Sequence, residues 1–248
     1  MTGRRVLVTG ASRGIGAATA RRFAAAGDQV AVHYGRSREA AEQTLASLAG
    51  TGHVLAQADL ADPAAVQSMV EAVAGRLGGI DVLVNNAGVF LPHPITDSTY
   101  EEWQQAWAQT LGVNLVGAAN VTWCAVRHMP DGGRIVNVSS RGAFRGEPGQ
   151  PAYGASKAGL IAFAQSLARA LGPRQIAVTT VAPGWVATDM AATRLAGAEG
   201  DRRRAESPLG QVATPEEVAA AILYLASPEA TMASGTVLDL NGASLLRM

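Results

Sequence analysis

Tyr153 and Lys157 stand four residues apart in the stretch Tyr-Gly-Ala-Ser-Lys, and Lys157 is the only lysine in a 248-residue chain with 20 basic residues. All the other basic side chains are arginines. The run that follows, AGLIAFAQSLARAL, has helical apolar spacing, so the two side chains project from one helix face. An unperturbed phenol has a pKa near ~10 and exchanges protons poorly at neutral pH; a fixed cation beside it favours the phenolate. The pair reads as a proton-transfer device in which Lys157 is expected to lower the Tyr153 pKa. A compact ammonium, unlike a guanidinium, can also bond to sugar hydroxyls and join a proton relay, which accounts for one lysine being kept in an arginine-rich chain.

A second chemical cluster lies near the beginning of the chain. The stretch TGASRGIG sets Gly10, Gly14 and Gly16 after a strand-like run and ahead of a helical one, with Ser12, Arg13 and Ile15 between them. Glycines there let the backbone turn sharply and let a pyrophosphate approach a helix N-terminus, where unpaired N–H groups favour anions. An NAD site would offer an acid about 20 residues further on to hold the ribose 2′-hydroxyl. Here the second strand candidate ends in His33-Tyr34-Gly35-Arg36-Ser37-Arg38, with no acid. Arg13 and Arg36, with Ser37, suit a 2′-phosphate, so the expected cofactor is NADP(H).

The elements that must position these residues follow from periodicity. Strand candidates are 4–9, 29–34, 53–58, 80–85, 134–139, 176–182 and 236–240; helical patterns cover 15–26, 38–49, 63–77, 101–128, 152–171 and 215–226. Asp62-Pro63 and Thr214-Pro215 are cap-then-proline helix starts. Apolar strands alternating with helices predict βαβ units, hence an α/β single domain built on a parallel sheet covered on both faces. The least regular stretch, 188–213, is too long for an ordinary loop and is expected to be a substrate lid.

Composition narrows the function classes. A formal net charge of zero with 16% charged residues gives no electrostatic case for nucleic acid or an anionic membrane. The one cysteine, Cys124, cannot form an intramolecular disulfide, and no His/Cys spacing predicts a metal site. No apolar stretch is long enough to span a bilayer and no signal-peptide pattern is present, so a soluble, cytoplasmic protein is expected.

Together the glycine loop, Asn-Asn-Ala-Gly at 85–88, Ser140 thirteen residues before Tyr153, Tyr-x3-Lys, Ala-Pro-Gly at 182–184 with Thr188 beyond, and LDLNG at 238–242 resemble the short-chain dehydrogenase/reductase family. The resemblance runs essentially from end to end and is strongest to the 3-oxoacyl-acyl-carrier-protein reductases. It implies a Rossmann-type, doubly wound parallel sheet of about seven strands, and a homotetramer. It further implies that Tyr153 protonates the carbonyl oxygen, that the positive nicotinamide of the oxidised cofactor joins Lys157 in lowering the Tyr153 pKa, that Ser140 orients that oxygen, and that Asn114 holds a water linked to Lys157. Asp59 and Leu60 would contact the adenine, with Asp59 also readable as a helix cap; Asn86, Ala87 and Gly88 would pass beneath the cofactor. Pro183, Gly184, Val186 and Thr188 would seat the nicotinamide carboxamide.

The substrate wall is expected from Phe90-Leu91-Pro92, Arg141 to Phe144, Gln150, Trp185 and residues 189–207, with Arg141 and Arg145 meeting either an anionic group or solvent. Carrier-protein reductases resembling this chain often carry basic residues just before Gly-Arg-Ile; here that place reads Asp131-Gly132-Gly133, and only Arg174 matches the other basic position. Three readings follow. The first is an NADPH-dependent reductase of a β-keto substrate such as a 3-oxoacyl thioester, free or linked to CoA or a carrier. The second is a reductase or secondary-alcohol dehydrogenase acting on a cyclic ketone, steroid, sugar or polyketide. The third, a non-catalytic NADP(H) sensor, has no need of a proton donor.

Overall fold

In the computed structural model, which describes residues 3–247, the apolar runs form seven strands. They are β1 (Arg5–Val8), β2 (Gln29–Tyr34), β3 (Val54–Gln57), β4 (Val82–Asn85), β5 (Arg134–Val138), β6 (Ala177–Pro183) and β7 (Val237–Leu240). Their order is β3-β2-β1-β4-β5-β6-β7 and every pairing is parallel. The chain therefore winds outward in one direction from β1 to β3 and in the other from β4 to β7. Between β1 and β4 the order reverses, and it is outside the carboxyl ends of the strands at such a crevice that ligands bind in open α/β sheets.

The helices are α1 (Gly14–Ala25), α2 (Arg38–Ala46), α3 (Pro63–Leu77), α4 (Tyr100–Leu111), α5 (Ala118–Val126), α6 (Gly142–Arg145), α7 (Pro151–Ala170), α8 (Gly197–Ala205) and α9 (Pro215–Leu225). Strand residues alternate between two core layers, as a period of two requires. Val6 and Val8 of β1 pack with Phe23 of α1 and with Val218 and Ile222 of α9. Leu7 faces the other way, into a layer with Val66 and Val70 of α3, Val121 of α5 and Ala164 of α7. Each such fully buried Val or Leu contributes roughly 1.5–3 kcal/mol. The caps expected from sequence are present: the Asp62 carboxylate accepts from the backbone N–H groups of Ala64 and Ala65, and Thr214 with Glu217 forms a capping box.

Two features depart from the periodicity. The single helix expected over 101–128 is α4 and α5 joined by a π-helical turn, Gly112–Gly117. The turn packs closely: a Cβ on Gly117 would lie 2.6 Å from the Leu60 carbonyl oxygen and 3.0 Å from that of Gly112. The second departure is the stretch 188–213, which holds a 3-10 segment (Asp189–Leu195) and α8. Its ends are pinned together by the bridge between Val186 and Ala213. No helix among the described residues is long and apolar enough to cross a membrane.

Gly117→Ala should destabilise the protein by roughly 1–3 kcal/mol, the usual cost of overpacking a tight contact, read as a lower urea midpoint. An unchanged midpoint would mean that the π turn has room to relax.

Candidate active site and dinucleotide cleft

At the carboxyl ends of the strands lies one cavity of about 840 Å³. It is lined by Gly10, Ser12, Arg13, Gly14, Ile15 and Gly16 after β1, Arg36 and Ser37 after β2, Asp59 and Leu60 after β3, and Asn86, Ala87 and Gly88 after β4. Ser140 after β5, Tyr153 and Lys157 on α7, and Pro183, Gly184, Val186 and Thr188 after β6 complete the wall. Every residue expected from sequence to hold the cofactor borders this space, as do Ser140, Tyr153 and Lys157 of the expected catalytic set; Asn114 sits in the π turn behind it.

The glycine loop is a cradle. Gly10 and Gly14 have φ of +64° and +53°, conformations that L side chains rarely adopt. A Cβ on Gly10 would stand 2.8 Å from Ala87 Cα, and one on Gly14 would stand 3.2 Å from Thr188 Cγ2, so both glycines keep the cleft open. The loop is laced to its neighbours by side chains. Asn86 Nδ2 donates to the carbonyl oxygens of Thr9 and Gly10 at 2.9 and 3.1 Å, and Thr9 Oγ1 accepts from the N–H groups of Asn86 and Ala87. Asp62, not Asp59, caps α3, while Asp59 accepts from Ala61 N–H and borders the cleft. Arg13 and Arg36 are exposed, border the cleft and form no ion pair among the described residues. This donor set, with no acid at the end of β2, fits a 2′-phosphorylated dinucleotide.

His33 is a residue that sequence reasoning passed over. It is buried, its Nδ1 accepts from Gly10 N–H at 3.0 Å, and its Nε2 lies 3.2 Å from the Ala58 carbonyl oxygen. Those two bonds demand the neutral ring with the proton on Nε2. Burial drives the His33 pKa down to about 4. A buried histidine gives no sequence signal of this kind, because both of its partners are backbone atoms.

On the catalytic side α7 presents Tyr153 and Lys157 on one face, as its spacing requires. Lys157 Nζ donates to the Val138 carbonyl oxygen at 2.8 Å and lies 5.7 Å from the centre of the Tyr153 ring. The expected lowering of the Tyr153 pKa is not found. Burial pushes the phenol up to about 12 against a modest opposing pull from the Ser140 hydroxyl, and the same burial brings Lys157 down to about 8. Desolvation outweighs the pairing because the ammonium is engaged with a carbonyl and stands beside the ring rather than at the hydroxyl. Ser140 Oγ accepts from Gly142 N–H at 3.0 Å, and its own hydrogen is the one it can donate, on the side of Tyr153. Phe90 packs edge-on against Tyr153, with ring centres 4.7 Å apart.

The Asn114 side chain is occupied with bracing. Its Oδ1 accepts from Val89 N–H, and its Nδ2 donates to the Val89 carbonyl and to Ser156 Oγ, tying the loop after β4 to α7. On the substrate side, Phe90, Arg141, Trp185, Asp189 and Met190 line the cavity as expected, but Leu91, Pro92, Phe144 and Gln150 do not. Glu147, which sequence reasoning omitted, does. Neither Arg141 nor Arg145 is free for an anion: Arg141 Nη2 and Arg145 Nη1 meet Glu206 at 2.7 and 3.0 Å. Arg174 is likewise held by Asp131 at 3.0 Å and by backbone carbonyls of Val126 and Met129.

This geometry agrees with what the chain is similar to. A family profile described as enoyl-(acyl carrier protein) reductase matches residues 10–242. A crystal structure of a short chain dehydrogenase from Burkholderia cenocepacia in complex with NADP superposes with a TM-score of 0.90 at 42% identity, covering 98% of each chain. The chain belongs to the short-chain dehydrogenase/reductase family. It is 38% identical to a 3-oxoacyl-[acyl-carrier-protein] reductase of Aquifex aeolicus, covering 98% of this chain and 97% of that one. It is also 36% identical to 3beta-hydroxysteroid dehydrogenase 1 of Eggerthella lenta, covering 99% and 95%. Family membership makes the protein an oxidoreductase, with the cleft as its site.

Because only the unfolded chain takes up a proton on His33 between its ordinary pKa of about 6.5 and the folded value of about 4, stability from this residue is complete above that window. It is lost as the pH falls through it. Urea unfolding at pH 7 and pH 5 should show the wild type losing about 2 kcal/mol more than His33→Asn, which keeps an acceptor for Gly10 but has nothing to titrate. Equal losses would remove His33 as the support of the glycine loop.

Proposed function

We propose that the protein is an NADPH-dependent carbonyl reductase acting on a β-keto substrate such as a 3-oxoacyl thioester, with Tyr153 as the proton donor. The observation that carries this reading is the convergence of Ser140, Tyr153 and Lys157 with the dinucleotide loops on one cavity, the phenol being held in its protonated form. When bound, NADPH supplies the hydride. Its binding residues are Gly10, Ser12, Arg13, Gly14, Ile15, Gly16, Arg36, Ser37, Asp59, Leu60, Asn86, Ala87, Gly88, Pro183, Gly184, Val186 and Thr188, together with Tyr153 and Lys157. Arg13 and Arg36 select the 2′-phosphate.

Within the site, Ser140 donates a hydrogen bond to the substrate carbonyl oxygen and sets its orientation, and Tyr153 gives that oxygen a proton. Lys157 spends one hydrogen on Val138 and has two left for ribose hydroxyls and for returning a proton toward Tyr153. Asn114 acts through position, by holding the loop after β4 against α7. Residues 188–213 form a lid, supported by the pinned ends of the segment and by the stacking of Arg194 on Phe90 and of Arg203 on Trp185.

A second reading, reduction of a ketone not linked to a carrier, is favoured by one observation. The basic groups that could meet an acidic carrier or an anionic substrate, Arg141, Arg145 and Arg174, are all paired internally. A homotetramer in the cytoplasm completes the proposal, supported by exposed apolar side chains on two faces, Val116 and Trp123 on one and Tyr224 and Met232 on the other.

The test is the rate of NADPH oxidation with acetoacetyl-CoA, with NADH in parallel. Turnover specific to NADPH is expected, and Tyr153→Phe should abolish it while leaving the NADPH Kd within a few-fold, because the hydroxyl acts in the transition state. Near-normal rates in that variant would remove Tyr153 as donor. In a separate measurement Arg13→Ala with Arg36→Ala should raise the KM for NADPH by roughly a hundredfold or more and leave that for NADH little changed, two charge-assisted bonds of about 1.5–3 kcal/mol each being lost. An equal rise for both cofactors would refute the phosphate assignment.

A further inference from the structure

Glu147 stands in the loop between α6 and α7 and borders the cavity beside Ser140 and Tyr153. Its side chain is only 15% exposed. The seat is built for it, since a Cβ on Gly142 would lie 2.7 Å from Glu147 Oε1, so no other residue type fits at 142 without displacing the carboxylate. Yet the carboxylate accepts no hydrogen bond that fixes it. The cation beside it, Arg145, is 3.7 Å away through Nε, and the Nη1 of that same guanidinium is given to Glu206 at 3.0 Å. Its one near cation is shared with Glu206, and burial pushes the Glu147 carboxyl above its ordinary range against the opposing pull of Arg145 and Arg141.

Such a group in a ligand cavity is an acceptor waiting for a donor. The chemistry of that donor follows from the surrounding charge. Arg141 and Arg145 stand with Glu147 and Glu206, two cations with two carboxylates, so the cluster carries no net charge with which to attract an ammonium ion. A carboxylate or phosphate of a substrate would meet Glu147 with like charge. A neutral hydroxyl is what remains: it gives the hydrogen bond without bringing a charge that the site cannot balance.

We propose that Glu147 is a specificity-determining residue that selects ketones carrying a hydroxyl close to the carbonyl, by accepting a hydrogen bond from that hydroxyl. This deepens the carbonyl-reductase reading and rests on it. A site with a buried acceptor discriminates strongly against the analogue that lacks the donor, because the acceptor is then left unpaired.

The test compares kcat/KM with NADPH for butan-2-one and for its 3-hydroxy and 4-hydroxy derivatives, in the wild type, Glu147→Gln and Glu147→Leu. Intrinsic reactivity differs between these ketones but is the same for all three proteins, so the quantity read is the hydroxyketone-to-ketone ratio of each protein relative to wild type. For at least one hydroxyketone the ratio should fall at least tenfold in Glu147→Leu and by a smaller factor in Glu147→Gln, whose amide oxygen is still an acceptor. The NADPH Kd of each variant reports folding; if Glu147→Leu fails to bind NADPH, the fall in Glu147→Gln decides alone. Ratios unchanged from wild type for both hydroxyketones, with turnover present, would overturn the proposal and leave the carbonyl-reductase reading standing. Tight NADPH binding by the wild type with no turnover of any of these ketones or of acetoacetyl-CoA would overturn both.

Discussion

The bond from Lys157 Nζ to the carbonyl oxygen of Val138 holds the site together. It fastens α7 to the end of β5, and Ser139, the next residue, returns the tie by donating its hydroxyl to the Lys157 carbonyl. With helix and strand end locked in this way, Ser140 on one side and Tyr153, one turn earlier on the helix, are brought face to face. The cost is a desolvated ammonium, visible in the fall of the lysine toward a pKa of about 8. A guanidinium, planar and with five donors, would be poorly matched to one carbonyl in that confined place. The only lysine in the chain is thus needed for its shape as well as its charge.

Around this bond the cavity divides into two electrostatic halves. At the dinucleotide end the arginines are exposed and free of ion pairs among the described residues, and loop geometry is maintained by neutral groups: Asn86, Thr9 and the uncharged ring of His33. At the substrate end the arginines are spent on Glu206, which lies just after α8, so the same ion pairs that remove positive charge from the pocket also hold the segment 188–213 against it. One half is prepared for an anion and the other is not. That contrast separates cofactor from substrate more sharply than the shape of the cavity does.

The sheet and most helices were legible because burial imposes a period on the sequence: β2 and α3 run over the residues their patterns predict, and the cleft glycines announce themselves by spacing. The π turn was not legible, since one inserted residue barely disturbs a helical apolar pattern, and the tight packing of Gly117 against Leu60 lies across space. Nor was α8, whose sequence GAEGDRRRA has no apolar stripe to read and is held instead by its arginines. His33 and Glu147 escaped for a related reason: what makes them matter is the company of groups distant in sequence. The lowering of the Tyr153 pKa was expected from the neighbouring lysine joined by the positive nicotinamide of the oxidised cofactor, and the protein's own residues do not supply it. Sequence spacing reports which groups are near each other; it does not report how much water they have lost.

That loss of water bears on which way the chemistry runs. A phenol with a pKa of about 12 is fully protonated at neutral pH, so the donor is loaded before any ketone arrives. On the proposed reading, the oxygen that gains negative charge as the carbonyl is reduced is more basic than a phenolate, so a proton passed to it from Tyr153 would move downhill. In the opposite direction the phenol would first have to ionise, which burial and the nearby Glu147 carboxylate both disfavour. Only a positive charge close to the ring can offset this, and Lys157, engaged with Val138 and itself weakened as a cation by burial, supplies little of it. On that reading the protein's own residues favour the protonated phenol, and the positive nicotinamide of the oxidised cofactor would supply the charge that favours the phenolate.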